Sequence, residues 1–283
     1  MSGKHERLWS RLKARVEGVE RGLDGVLGVA VKDLTSGATL QVNADEVFPA
    51  ASTLKTAVLY EVYRQAEEGR LRLDEVTRPS LPRVGGGGVL QELSGQVSLT
   101  WRDLSVLMMG WSDNEATNLL IDKVGLEAVN SRLAGLGLQA TRLRRKMMDL
   151  AAAQRGLENV ATPAELSRLM EAYHAGTGLP PERAADLRRV ASLEKWGTTT
   201  PGSPFRGPLP STLVVADKPG ELDGVRCVTA LVLLEGRPYV ATLMTSYLRR
   251  DADGEAAIRD LSAALYDTFD RLARYSALGR ILR

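Results

Sequence analysis

The chain has 283 residues, 44% of them hydrophobic, which is enough to bury a sizeable core in one large domain or two interleaved ones. Its 37 Lys and Arg against 35 Asp and Glu leave a formal charge of +2, so no bulk basic charge argues for nucleic acid as a partner. A single cysteine, Cys227, excludes an internal disulfide and a zinc site built on several thiolates, and only two histidines, His5 and His174, are present to supply a metal centre or a Ser-His-Asp triad. No metal and no cofactor is expected.

The first residues are polar and lead straight into an amphipathic helix over 6–22, with Leu8, Trp9, Leu12, Val16 and Val19 at helical spacing. No apolar signal segment follows and no run approaches the length of a membrane span, so the plain expectation is a cytosolic protein. Residues 26–34 and 38–42 read as a hairpin across the turn Thr35-Ser36-Gly37. From Ser52 to about residue 190 the pattern is helical. Thr100 caps one helix, Gly137 ends another, Thr162-Pro163-Ala164-Glu165 opens a third and Pro180-Pro181 a fourth. The glycine run 85–88 reads as flexible backbone, since a phosphate loop would need a following Lys-Ser/Thr. After a Thr-, Pro-, Gly- and Ser-rich loop over 198–210, three strands are expected at 211–217, 225–234 and 239–247, then a last helix over 254–275.

Strand patterns thus lie at both ends of the chain with helices between them. The expected class is α/β in the α+β sense: an antiparallel sheet built from both chain ends, flanked by terminal helices, with an inserted all-helical half. The sheet half is placed at 1–47 and 198–283, and the helical half at 48–197.

A helix is expected to begin at or just before Ser52, with Pro49 at its entry. Ser52 and Lys55 then share one face of its first turn, and an amine stands beside a hydroxyl. Those are the parts of a serine nucleophile that needs no histidine. The pattern alone is weak, because Ser192-Leu193-Glu194-Lys195 repeats it. Ser112-Asp113-Asn114 falls at a break between two predicted helices, where it could relay a proton or simply cap the next helix. Lys218-Pro219-Gly220 closes a predicted strand; its lysine could meet a substrate carboxylate, and Gly220 lets a ligand approach the backbone.

Together these three motifs, in this order, resemble the class A β-lactamases among the serine penicillin-recognising enzymes. The resemblance implies a small-molecule β-lactam or peptidoglycan-like substrate and an acyl-enzyme on Ser52. Lys55 would help remove the Ser52 proton, Ser112 would pass it to the leaving nitrogen, and Asn114 would orient lysine and substrate. Lys218 would support Ser112 and attract a carboxylate. The backbone N–H groups of Ser52 and Glu221, just after Gly220, would form the oxyanion hole, and Arg226 is a candidate carboxylate ligand with an exposed strand charge as its rival role. A monomer with neither nucleic-acid partner nor membrane span is expected. The family usually works outside the cytoplasm, in conflict with the plain reading of the N-terminus.

Two departures bear on turnover. The family segment Thr-Arg-Leu-x-Arg-x-Glu-x-Glu-Leu-Asn holds a water-activating glutamate and an assisting asparagine. Here 141–151 puts Met147 and Ala151 at those two places, with Asp149 and Glu158 as substitute bases. A thioether cannot abstract a proton, so acylation without efficient deacylation is expected. Pro219 replaces the usual Thr or Ser, which removes a hydroxyl that binds the substrate carboxylate. A DD-peptidase or small-ester hydrolase on the same scaffold, and a cell-wall or antibiotic-binding module without turnover, are the alternatives.

Overall fold

The computed structural model describes residues 3–281 except 79, 82, 95, 197–201 and 277. In chain order the elements are α1 (Gly3–Gly22), β1 (Val26–Asp33), β2 (Thr39–Val42), β3 (Phe48–Pro49), α2 (Lys55–Glu67), β4 (Val76–Thr77), β5 (Leu99–Thr100), α3 (Trp101–Gly110) and α4 (Asn114–Val124). There follow α5 (Leu126–Gly135), α6 (Leu150–Gln154), β6 (Val160–Ala161), α7 (Pro163–Ala175), α8 (Pro181–Ala191), β7 (Val215–Leu222), β8 (Val225–Val232), β9 (Tyr239–Ser246) and α9 (Asp251–Arg274).

Five strands make one antiparallel sheet in the order β2-β1-β9-β8-β7, so both chain ends contribute to it, as the distribution of strand patterns predicts. Its long strands carry almost no exposed residue, because both faces are covered. Trp9, Leu12 and Val16 of α1 and Ile258, Leu261, Leu265 and Phe269 of α9 bury one face together with Val29, Val228 and Leu243. Alternation along the strands sends Cys227, Leu231, Val240 and Met244 to the other face, where they join the core of the helical half. Burial of these two apolar layers is the main favourable term for the fold.

Local signals place several helix ends. The Thr100 hydroxyl oxygen accepts a hydrogen bond from the Asp103 N–H, and the Asp103 carboxylate accepts one from the Thr100 N–H, a complete capping box. Thr162 caps α7 with Pro163 at its first position, and Gly176 ends it at φ 64°. The predicted boundary at 197/198 lies outside the described residues.

Two expectations are corrected. Ser52 is not in the first turn of an α-helix. It lies in a 3-10 turn, Ala51–Leu54, and the α-helix proper begins at Lys55. The strand expected at 211–217 runs instead from Val215 to Leu222, so Lys218-Pro219-Gly220 is mid-strand and no turn follows Lys218. Proline is accepted there because β7 is the sheet edge, where one side of the strand has no ladder partner.

Candidate active site

The 3-10 turn that carries Ser52 is pinned from three sides. β3, just before it, pairs with β6, and the Ala50 N–H donates to the carbonyl of Asn159 at 2.8 Å. Ala51 takes a left-handed φ of 46°, uncommon for a residue with a Cβ. From the sheet, Gly220 presses against the turn: a Cβ there would stand 3.0 Å from the Ser52 nitrogen, 3.0 Å from Ala51 Cβ and 2.9 Å from Cys227 Sγ. Only glycine lets the strand approach the serine this closely.

Lys55 opens α2 and is fully buried. Its Nζ lies 2.6 Å from the carbonyl of Ser112, 2.9 Å from Asn114 Oδ1 and 3.1 Å from Ser112 Oγ. Ser112 Oγ lies in turn 3.1 Å from Ser52 Oγ. Burial first, then the charge of Lys218, pull the Lys55 amine well below the ordinary lysine range, and Asp113 only partly opposes them. A neutral amine has two N–H donors and one lone pair. The three oxygens around Nζ are each placed to accept from it and the Ser112 hydroxyl donates to Ser52 Oγ, so the amine lone pair meets the relay when that hydroxyl turns toward Lys55. Burial favours the uncharged form of Lys55.

Ser112-Asp113-Asn114 is both a relay and a cap, with the tasks divided among its residues. Asp113 caps α4 through the Ala116 N–H, and its second oxygen takes the N–H groups of Val89 and Leu90. Ser112, at φ 52°, and Asn114 are thereby turned toward Lys55. Asn114 also donates from Nδ2 to the Gly85 carbonyl. The glycine run is therefore a wall of the site. At Gly88 a Cβ would sit 2.5 Å from the Asp113 carboxyl carbon, and at Gly86 it would meet both the Met148 sulfur and Asn114 Nδ2. Sequence reading missed this wall and Met148; four glycines in a row beside a chemically loaded motif were the available signal.

Lys218 is buried on β7, on the same side of the strand as Gly220. Its Nζ donates to the Pro219 carbonyl at 2.9 Å, and burial, offset by Asp217, Glu221 and Cys227, brings it down to about 8. Glu221 follows Gly220 and pairs with Arg226 across the ladder. Cys227 sits beneath the serine turn, and burial pushes its thiol up to about 12. Trp111, next to Ser112, is half-buried.

Arg226 is not brought to this group. Its neighbour Cys227 packs toward Ala50 and Gly220, so Arg226 faces the opposite side of the sheet. There its guanidinium pairs with Asp251 at 3.0 Å and Glu255 at 3.2 Å and donates to the carbonyls of Leu222 and Val225. It clamps the β7–β8 hairpin to α9, which corrects the expectation of a carboxylate ligand.

The loop over 142–160 is closed at its neck by backbone pairing of Arg142 with Val160 and by Asn159, whose side chain takes the N–H groups of Arg144 and Arg145. Met147 is buried in the helical core, its N–H and carbonyl both bonded to the Asn118 amide. Both candidate substitute bases have partners of their own. Asp149 caps α6 through the Ala152 N–H, and Glu158 pairs with Arg145 at 2.6 Å. Ala151 is exposed on α6.

Comparison with known proteins identifies the family. Residues 8–269 match the beta-lactamase enzyme family. A beta-lactamase of Streptomyces albus G is 30% identical over 272 residues, 92% of this chain and 85% of that protein. The crystal structure of a beta-lactamase from Sphaerobacter thermophilus is 32% identical and superposes with a TM-score of 0.81 over 92% of this chain and 97% of its own. The structure of PBP-A, 27% identical, does so with a TM-score of 0.81 over 92% and 96%. The chain thus belongs to the beta-lactamase enzyme family, as a serine hydrolase of the class A β-lactamase type.

Proposed function

We propose that a β-lactam, or a peptidoglycan-like amide, acylates Ser52 and that the acyl group leaves slowly. The observation that carries this reading is the continuous hydrogen-bonded line from Lys55 through Ser112 to Ser52. The Ser52 proton passes to Ser112 while the Ser112 proton passes to the neutral Lys55 amine, and Ser52 Oγ bonds to the substrate carbonyl carbon. As the C–N bond of the tetrahedral intermediate breaks, the proton returns through Ser112 to the leaving nitrogen. The N–H groups of Ser52 and Glu221 hold the oxyanion, where one such donor is typically worth about 3 kcal/mol. Lys218 attracts the substrate carboxylate, and Asn114 orients Lys55 and the substrate. Pro219 offers no hydroxyl beside Lys218, which weakens the hold on an ordinary penicillin carboxylate. The chain acts as a monomer, without nucleic acid.

Slow deacylation is supported by Met147 and Ala151 and by the engagement of Asp149 and Glu158 elsewhere. A variant of the relative PBP-A has been solved as an acyl-enzyme complex with penicillin G, which supports a lasting adduct on this scaffold. Mass spectrometry of the intact protein after penicillin G treatment tests the reading. A persisting mass increase equal to the whole antibiotic, absent in Ser52→Ala, is expected. Fast turnover that leaves no adduct excludes slow deacylation, and no reaction at Ser52 excludes the assignment as a whole. The same acyl-enzyme chemistry on peptides or small esters is a second reading, favoured by Pro219; chromogenic esters turned over faster than cephalosporins would establish it.

A further inference from the structure

The second Ser-x-x-Lys of the chain is not in the Ser52 crevice, but it stands directly behind it. Lys195 is 1% exposed and Asp217 is fully buried. Lys195 Nζ donates to the carbonyls of Ala191 at 2.8 Å and Leu193 at 2.7 Å, closing the C-terminal end of α8, and lies 3.7 Å from Asp217 Oδ1. Arg206 approaches the same oxygen, with Nε at 2.8 Å, and donates from Nη2 to the carbonyls of Ser192 and Val215. One carboxylate oxygen serves two cations, while Asp217 Oδ2 is buried without a hydrogen-bond partner. An apolar side chain would fill this volume at lower desolvation cost, so stability alone is a poor account of the lysine.

Its connections supply another account. Asp217 immediately precedes Lys218 on β7. Trp196, the residue after Lys195, donates its N–H at 2.7 Å to the carbonyl of Gly110, the last residue of α3 and two before Ser112. A Cβ at Gly110 would meet the Glu194 carbonyl at 3.6 Å, so segment and helix end are in contact. The segment 192–196 therefore spans the strand that carries Lys218 and the helix end that carries Ser112.

We infer that Lys195 is a positioning residue: through Asp217 and the α8 carbonyls it fixes Lys218 on β7 relative to Ser112 at the end of α3. The inference rests on the acylation reading of Ser52. The charged and titratable groups around Lys218 are Asp217, Glu221, Lys195, Lys55 and the Cys227 thiol, with Arg206 shielding Asp217. Burial brings Lys195 itself down to about 7, so near the Lys218 limb it is largely neutral and acts through its hydrogen bonds and its place beside Asp217. A Lys218 displaced from its buried place is less desolvated, which raises its titration above that of the parent.

The test is the second-order rate of acylation by a chromogenic cephalosporin, measured from acid to alkaline pH for the full chain, for Lys195→Met and for Lys195→Gln. The glutamine keeps a donor for the α8 carbonyls and so protects the fold. Expected is an about ten- to hundred-fold loss of rate, the scale of a displaced catalytic group, together with an alkaline limb moved to higher pH. Rates within twofold of the parent, or a loss with an unmoved limb, overturn the inference. So does failure of both variants to fold, which would assign Lys195 to stability. A parent that takes up no acyl group overturns the acylation reading itself, a result distinguishable from all of these.

Discussion

Ser112 Oγ stands 3.1 Å from Ser52 Oγ, and Ser112 holds that position at a backbone φ of 52°. The strain is offset by Asp113, the next residue, which is held in place as the cap of α4. Ser112 Oγ bridges Lys55 Nζ and Ser52 Oγ. Ser112→Ala is expected to lower the acylation rate by about 10²–10⁴, the usual scale of a lost proton transfer, with little change in melting temperature. Stopped-flow measurement with a chromogenic cephalosporin checks it; a rate within a few-fold of the parent would show that Lys55 reaches Ser52 without the relay.

The pH profile of acylation follows from two buried lysines. Lys55 must be neutral to accept a proton, and its titration lies well below the ordinary lysine range, so the rate rises with pH through that lowered value. Lys218 must be charged to attract a carboxylate, and it loses its proton near 8, so the rate falls above that pH. A bell with its alkaline limb near 8 is expected. Lys218→Arg, which keeps its proton throughout, would remove the limb.

Gly220→Ala places a methyl group 3.0 Å from the Ser52 nitrogen and 2.9 Å from Cys227 Sγ. The strand has to retreat from the serine turn. A stability loss of about 1–3 kcal/mol is expected from overpacking, and acylation falls at least tenfold because the oxyanion donors separate. Thermal unfolding and acylation kinetics on the same sample read the two effects. A variant that acylates at the parent rate would mean that the two N–H groups do not act together.

Arg226→Ala separates structure from binding. The guanidinium holds Asp251, Glu255 and two carbonyls against α9. Its loss is expected to cost about 1–3 kcal/mol of stability, on the scale of hydrogen bonds to charged groups. The affinity for carboxylate-bearing substrates should stay within twofold. A large rise in KM at unchanged stability would instead return Arg226 to substrate binding.

Restoring both missing groups, Met147→Glu with Ala151→Asn, is expected to shorten the acyl-enzyme lifetime by about 10²-fold or more, the scale of general-base help. Time-resolved mass spectrometry after removal of free antibiotic measures it. Because Met147 is buried, the glutamate also costs stability unless it is hydrogen-bonded, and the melting temperature is expected to fall. An unchanged lifetime in a folded double variant would place the cause of slow release outside these two positions.

The layers of the fold were legible because they follow from local patterns: helical spacing in α1 and α9, apolar runs in β8 and β9, and caps at Thr100 and Thr162. The start of β7 was not, because Pro219-Gly220 reads as a turn until an edge position makes proline tolerable. Ser52, Lys55, Ser112 and Asn114 were legible as motifs, and the structure brings them together. Arg226 was misplaced because a strand sends neighbours to opposite faces, and only the ladder register says which face is which. Lys195 and the glycine wall were hidden for a related reason: what they do depends on contacts far along the chain.

The neck that closes the loop over 142–160 holds its base through contacts that use neither Met147 nor Ala151. Asn159 and the Arg142–Val160 pair fasten the loop to the serine turn at its base, while Met147 ties its interior to Asn118 and the helical core. On the proposed reading, the difference between a trap for antibiotics and a recycling catalyst comes down to a few side chains inside one tethered segment.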